Sequence, residues 1–204
     1  MILYQAFIYG ILYLLFEAYP ISFYQEREWE LGLSSLPFLG LLVGELVGFA
    51  ILIHNTLTVF ARETKAAGGK VVPELRLPTM ILGGMILPVG FFWLAWTSEP
   101  GVPWEAQVFA GIPIGAGMYL TFIQSFNYII DVYLTKANSA ISAATFVRSA
   151  FGAGFPLFAP AMFHNLGVNW AASVLGVISV VMVPIPIAFY LFGPKLRALS
   201  RARP

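Results

Sequence analysis

Polar side chains recur at helical spacing in two otherwise apolar stretches of the chain. Gln5, Tyr9, Tyr13 and Glu17 follow one another every four residues, which places them along one face of a helix. A second set also shares one helical face, at offsets of three, six, seven and ten residues: Thr121, Gln124, Asn127, Tyr128 and Asp131. Such faces are typical of a water-filled cavity or of hydrogen bonds between packed helices. Two of them on two helices favour the water-filled cavity.

Two further ionisable residues, Glu45 and Arg148, lie deep inside other apolar stretches. A guanidinium keeps its proton, and the arginine side chain is too short to reach the membrane surface from mid-depth. We therefore expect Arg148 to face the protein interior and to hydrogen-bond a group on another helix, with Glu45 or Gln124 as first candidates. A structural ion pair and a transport role remain equally open. Glu17 lies near a helix end, where its carboxylate can instead reach the interface.

The residues offer no enzyme chemistry. The chain has no cysteine, and His54 and His164 fall at opposite membrane faces, so they cannot share a metal ion. No zinc-protease, phosphate-loop or serine-hydrolase motif occurs. The sequence predicts neither a metal, a cofactor nor an enzymatic activity.

The composition limits the class of protein that must position these residues. Of 204 residues, 59% are hydrophobic and 10% are charged, and the mean hydropathy is +0.81. A soluble domain carries roughly 25% charged residues, so this chain has too little charge to cover a water-facing surface. Its net charge of +1 gives no field that would attract nucleic acid. The sequence predicts an all-α, multi-pass protein of the lipid bilayer.

Six stretches are long and apolar enough for a membrane helix, which needs about 20 residues. They are numbered as spans one to six: Met1–Phe23, Leu36–Ile53, Thr79–Trp96, Gln107–Ile130, Ile141–Phe163 and Trp170–Phe192. The stretch 54–78 is expected to be a cytoplasmic loop, and 193–204 a basic cytoplasmic tail. Glycines and prolines inside the spans, such as Gly44 and Pro156, serve either as hinges or as packing devices.

Lysine and arginine residues set the predicted orientation, because they accumulate in cytoplasmic loops. Nine of the eleven follow spans two, four and six: Arg62, Lys65, Lys70, Arg76, Lys136, Lys195, Arg197, Arg201 and Arg203. Arg27 lies in an opposite loop, and Arg148 lies inside span five. Both termini are therefore predicted to be cytoplasmic. Span one begins almost at Met1, so we expect the chain to be part of something longer.

Several long strings carry a family resemblance. YGILYLLFEAYP (9–20) and LPFLGLLVGELVG (36–48) resemble helices seven and eight of fungal major facilitator superfamily transporters, in the drug:proton antiporter group. The stretch 73–98 is similar to the following loop and ninth helix, 124–134 to helix ten, and 144–176 to helices eleven and twelve. The resemblance covers nearly the whole chain. It identifies the chain as the C-terminal half of such a transporter, helices seven to twelve.

The resemblance implies half of a major facilitator fold, with six transmembrane helices in a three-plus-three inverted repeat. It implies alternating access and proton-coupled export of drugs, polyamines or toxins, in the plasma membrane rather than the vacuole. The N-terminal six-helix half is then the missing partner. Helices seven and ten of the family, spans one and four of this chain, contribute to the central cavity. The alternative is a non-transporting membrane fragment or an assembly partner.

Overall fold

A computed structural model describes residues 1–69 and 72–199 of the chain, without the side chains of residues 135 and 194–199. The predicted basic residues Lys70, Arg201 and Arg203 lie outside the described residues, as do the side chains of Lys195 and Arg197. Within the described part, every regular element is a helix. The main helices are α1 (Ile2–Pro20), α2 (Phe38–Asn55), α3 (Ala61–Ala66), α4 (Leu77–Thr97), α5 (Trp104–Tyr133), α6 (Ala137–Met182) and α7 (Pro184–Leu199).

The six predicted spans occupy five continuous helical segments. Five segments of the described chain are long and apolar enough to cross a membrane, and the last, Ala137–Gly193, has 57 residues. A straight helix of that length would measure about 85 Å, whereas the hydrocarbon core of a bilayer is about 30 Å thick. Gly167 interrupts this segment with φ 75° and ψ 161°, a backbone conformation that is essentially restricted to glycine. Spans five and six are therefore the two parts of one segment that is broken at Gly167.

Contacts between loops show which helix ends lie together on one side. Arg27, after span one, donates hydrogen bonds to the carbonyl oxygens of Thr97 (3.2 Å), Glu99 (2.8 Å) and Val102 (2.9 Å). Asn169, just beyond the break, donates to the Glu99 carboxylate at 3.1 Å. The ends of spans one, three and five thus meet at the same side of the bundle.

The ends of the other three spans meet at the opposite side. Arg76, before α4, forms an ion pair with Asp131, near the end of α5, with 3.0 Å between nitrogen and oxygen. Its guanidinium also lies 3.9 Å from the centre of the Phe60 ring, beyond α2. Glu74 also lies close to Gly193, the residue that follows span six. A Cβ added to Gly193 would be 2.8 Å from the Glu74 carboxylate. Because six crossings return the chain to the side where it began, α1 starts on this side too.

Glycines allow the helices to pair closely, and the pairing is that of an inverted repeat. A Cβ added to Gly44 on α2 would lie 2.2 Å from the carbonyl oxygen of Ile112 on α5. A Cβ added to Gly10 on α1 would lie 2.5 Å from the ring of Phe155 on α6. Span two therefore packs on span four, and span five packs on span one. Exchanging spans one to three with spans four to six converts the first pair into the second, as the predicted three-plus-three repeat requires. The predicted all-helical fold class is confirmed.

The helices extend beyond the limits that hydropathy predicts. Much of the stretch 54–78, expected to be a loop, is helical: α2 continues through a π-helical turn (Thr56–Phe60) into α3. A short 3₁₀ turn (Pro73–Arg76) then precedes α4. Hydropathy marks where apolar residues end, whereas a helix continues as long as its backbone hydrogen bonds do.

Burial is uneven among the spans. The segments of α1, α4 and α5 are mostly buried in the bundle, and large side chains such as Tyr19, Phe91 and Phe163 lie fully inside. The α2 segment is only 28% buried, and it exposes apolar side chains such as Leu42 and Leu46. A face of this composition is compatible with lipid or with another apolar helix layer. The core therefore lies around α1, α4 and α5, with the buried side of α6 packed against them.

Candidate substrate site

A cleft of about 130 Å³ lies between α1, α2 and α5. Its wall is largely apolar, with side chains such as Ile8 and Met118. Tyr9 on α1 and Phe122 on α5 add two aromatic rings, whose centroids are 6.2 Å apart. Glu45, an exposed residue of α2, contributes a carboxylate to the same wall. The cleft thus combines aromatic surface with an acidic group deep inside span two.

Arg148 on α6 lies against the aromatic pair of this cleft. Its guanidinium carbon is 5.0 Å from the centre of the Tyr9 ring and 5.3 Å from that of Phe122. Both distances are within the range of a cation–π interaction. In the described part of the chain, no hydrogen bond or ion pair joins Arg148 to Glu45 or Gln124. The expected hydrogen bond is therefore wrong, because ring faces rather than polar atoms meet the guanidinium.

A tyrosine pair continues the aromatic wall along α1. The hydroxyl oxygens of Tyr9 and Tyr13 are 3.2 Å apart, and their rings meet edge to face with centroids 5.1 Å apart. Gly152 lies opposite both rings: a Cβ at this position would be 3.0 Å from Tyr9 and 3.2 Å from Tyr13. Gly152 is one helical turn after Arg148, so the two share a face of α6. The absence of a side chain at Gly152 leaves room for both tyrosines.

The remaining residues of the two polar helix faces divide between the interior and the partly exposed surface. Gln5, Thr121, Gln124 and Tyr128 are buried within the bundle, and the Gln5 amide nitrogen has no hydrogen-bond partner in the described residues. Asn127 is half-buried and lies 3.5 Å from the Gln124 side-chain oxygen. Tyr128 packs edge to face on Phe189. The structure thus brings Tyr9 and Tyr13 to the cleft region and buries most of the polar face of α5.

Glu17 and Asp131, the two carboxylates near helix ends, lie in different surroundings. Glu17 is partly exposed, one helical turn beyond Tyr13. Asp131 forms its ion pair with Arg76, and both side chains are mostly buried, with 14% and 16% exposure. Asp131 is about two turns further along α5 than Ile123, the last α5 residue of the cleft. Asp131 therefore joins the end of α5 to the start of α4, away from the cleft.

Two residues of the site were not predicted as site residues. Phe122 is an apolar residue in an apolar span, so neither its type nor its spacing distinguishes it from lipid-facing or core phenylalanines. Gly152 is one of several glycines inside the spans, which the sequence predicts only as hinges or packing devices. A signal was present in the four-residue spacing from Arg148 to Gly152, which places a small residue on the same helix face as the charge at membrane depth.

The described residues contain no group of three or more histidines, cysteines or acidic residues that could hold a metal ion. The prediction of no cofactor and no enzymatic activity stays a prediction. What the geometry offers is a binding surface, built from rings, one carboxylate and one guanidinium.

Comparison with known proteins gives three informative relatives. The chain is 55% identical over 199 residues to the MFS-type transporter oryN of Aspergillus oryzae, a match that covers 98% of this chain and 38% of the relative. It is 54% identical over 205 residues to the citrinin biosynthesis cluster MFS transporter mrr1 of Monascus ruber, covering 100% and 41%. It is 47% identical over 200 residues to the uncharacterized transporter C36.03c of Schizosaccharomyces pombe, covering 98% and 37%. No family model and no solved structure matches the chain.

The matches run along essentially the whole of this chain, whereas the chain spans about two fifths of the length of these relatives. That share agrees with one six-helix half of a transporter built from two. The helical bundle, its membrane-length segments and its inverted pairing of spans agree with the same family. The chain therefore belongs to the fungal MFS-type transporters and has the fold of half of such a protein.

Proposed function

We propose that the chain is the C-terminal half of a proton-coupled exporter of small organic molecules, and that an N-terminal six-helix half completes it. Several relatives are named for biosynthesis clusters of citrinin and ascochitine. We extend this to the chain as transport of small secondary metabolites, drugs or toxins out of the cell. The proposed location is the plasma membrane, with both termini in the cytoplasm.

The observation that supports this function best is the placement of Glu45 beside the aromatic wall. A carboxylate at membrane depth is costly, and such groups usually serve a substrate or proton pathway. Glu45 is exposed, and no ion pair joins it to any of the described residues. We infer that the carboxylate binds either a proton or, through a hydrogen bond, a substrate. If the two bind in turn at the same group, proton movement is coupled to substrate movement.

Alternating access explains how such a site would transport. In this family type, the substrate binds near mid-membrane between two halves that rock against each other. Spans one, two, four and five carry the cleft and Arg148, so the second half would close over this surface. Tyr9, Tyr13 and Phe122 would bind the apolar part of the substrate. The tight glycine contacts between spans would let this half move as one unit.

The alternative is a membrane fragment or assembly partner without transport activity of its own. The share of the relatives that the chain spans favours this reading for the chain alone. A transport assay separates the two. The chain is reconstituted in liposomes alone and, in parallel, together with the six-helix half that completes it, and citrinin flux is followed with and without an imposed pH gradient.

We expect flux that depends on the pH gradient in the completed transporter and none with the chain alone. Flux that is indifferent to the gradient in the completed transporter would contradict proton coupling. Absence of any flux from a correctly inserted, completed transporter would favour the non-transporting alternative.

A further inference from the structure

The position of Arg148 bears on which substrates the cleft prefers. Aromatic faces in a transport site are commonly expected to bind organic cations. In this chain the cation over Tyr9 and Phe122 is the protein's own guanidinium, at 5.0 and 5.3 Å from the two ring centres. A positively charged substrate that approached these rings would be repelled by Arg148. The arrangement therefore disfavours a cationic group at this point.

The guanidinium also has unused hydrogen-bonding capacity. Arginine carries five N–H donors along the edge of a planar group, and the two rings that it contacts offer no oxygen or nitrogen acceptor facing those donors in the described residues. In the described part of the chain, neither a carboxylate nor a carbonyl accepts a hydrogen bond from Arg148. The residue is only partly buried. Its donor edge is thus suited to a planar anionic group, such as a carboxylate, which arginine can bind through two hydrogen bonds.

Glu45 sets a second requirement on the same ligand. It lines the cleft together with Tyr9 and Phe122, the two rings that Arg148 contacts. A carboxylate would repel an anion but would accept a hydrogen bond from a hydroxyl group. A ligand that satisfies both residues has a flat apolar body. It carries an acidic group at one end of this body and a hydrogen-bond donor at the other end.

From these contacts we propose that the cleft binds aromatic acids that also carry a hydroxyl group. Arg148 binds the acidic group, Tyr9 and Phe122 pack on the ring, and Glu45 accepts the hydroxyl proton. This inference rests on the proposed transport function, which it makes specific for a class of substrate. It differs from the export of polyamines, which are cations, that the family resemblance implied.

Three naphthalene probes of fixed charge test the proposal: 6-hydroxy-2-naphthalenesulfonate, 2-naphthalenesulfonate and trimethyl(2-naphthyl)ammonium. Their affinities are measured by equilibrium dialysis with the completed transporter in nanodiscs. We expect the hydroxy-sulfonate to bind best, the plain sulfonate next and the ammonium probe at least about tenfold more weakly than the plain sulfonate, because the Arg148 guanidinium donates hydrogen bonds to the sulfonate and repels the ammonium group. Tighter binding of the ammonium probe by the unmodified protein would overturn the proposal without any variant.

Variants assign the preference to residues. Arg148→Gln should remove the advantage of sulfonate over ammonium, and Arg148→Lys should keep part of it. Glu45→Gln should reduce the advantage of the hydroxyl group, because a neutral amide oxygen is a weaker acceptor than a carboxylate. The control Arg62→Gln changes an exposed cation that pairs with its neighbour Glu63, and it should change nothing. A folded Arg148→Gln or Arg148→Lys protein that kept the full sulfonate preference would refute the assignment.

Binding is measured without a gradient, so it is separate from transport. Anion preference without gradient-driven flux would leave this inference standing and contradict the proposed exporter. Gradient-driven flux without anion preference would support the proposed exporter and contradict this inference.

Discussion

At the scale of single residues, the site depends on charges whose neighbours differ. Glu45 is exposed on the cleft wall, whereas Asp131 is mostly buried in an ion pair with Arg76. The first group has no ion-pair partner among the described residues, and the second is held in a fixed contact. The two carboxylates are therefore expected to respond differently to the same loss of charge.

Replacing Glu45 by glutamine should uncouple transport from the pH gradient. The amide keeps the size of the side chain but cannot bind a proton, so a gradient no longer provides a driving force at this position. We expect gradient-driven uptake in liposomes to fall at least about tenfold, the loss of a charge-assisted hydrogen bond being worth roughly 1.5–3 kcal/mol. Glu63→Gln, at an exposed carboxylate of α3, serves as the control. Full gradient-driven uptake by the Glu45→Gln protein would assign coupling to another group, with Glu17 the next to examine.

Replacing Asp131 by asparagine should instead destabilise the fold. The change leaves the mostly buried Arg76 guanidinium without its anionic partner, which should lower the free energy of unfolding by about 1–3 kcal/mol. The exposed pair of Arg62 and Glu63 provides the comparison, since surface pairs contribute about 0–1 kcal/mol. Thermal unfolding in detergent measures both. Equal effects of Asp131→Asn and Glu63→Gln would show that the Arg76 ion pair has no special stabilising role.

At the scale of elements, helical periodicity predicts which residues share a face of one helix, but not which helices pack together. The four-residue spacing of Tyr9 and Tyr13 predicted a shared face, and their hydroxyls do meet. The partner of Arg148 could not be predicted, because the sequence does not show that span five packs on span one. That contact depends on Gly152, where the missing side chain admits both rings. In an apolar span, Phe122 likewise carries no signal that separates a cleft wall from a lipid-facing surface.

The break at Gly167 is the element on which the count of crossings depends. Its φ of 75° and ψ of 161° suit glycine alone, so Gly167→Ala should cost about 1–3 kcal/mol of strain. An added Cβ would meet nothing within 4 Å, so crowding cannot account for the loss. Gly154→Ala is a matched control, since that glycine also has open space around it but lies at an ordinary helical φ. We expect a lower unfolding temperature for Gly167→Ala alone, and equal stability of the two variants would contradict the break.

At the scale of the whole molecule, two sets of contacts separate the ends of the bundle. Arg27 and Asn169 hold the ends of spans one, three and five together. Arg76, at the start of α4, joins the ends of spans two and four through its contacts with the Phe60 ring and the Asp131 carboxylate. The sequence predicted this alternation from lysine and arginine in the loops alone, because charge distribution is a property of the loops and does not require knowledge of helix packing. Which end faces the cytoplasm is the remaining part of that prediction.

We expect the end that carries Arg62 and Lys65 to face the cytoplasm and the end that carries Arg27 and Trp104 to face outward. The chain has no cysteine, so single cysteines at Lys65 and Gly101 can be labelled without background; both positions lie in exposed segments at opposite ends. In intact cells, a membrane-impermeant maleimide should label Gly101→Cys and should reach Lys65→Cys only after the cells are opened. The reason is energetic: a cluster of basic residues is retained on the cytoplasmic side during insertion, whereas Arg27 is accompanied by three glutamates. Labelling of Lys65→Cys in intact cells, with protection of Gly101→Cys, would invert the orientation and would require the cleft to be loaded from the other side.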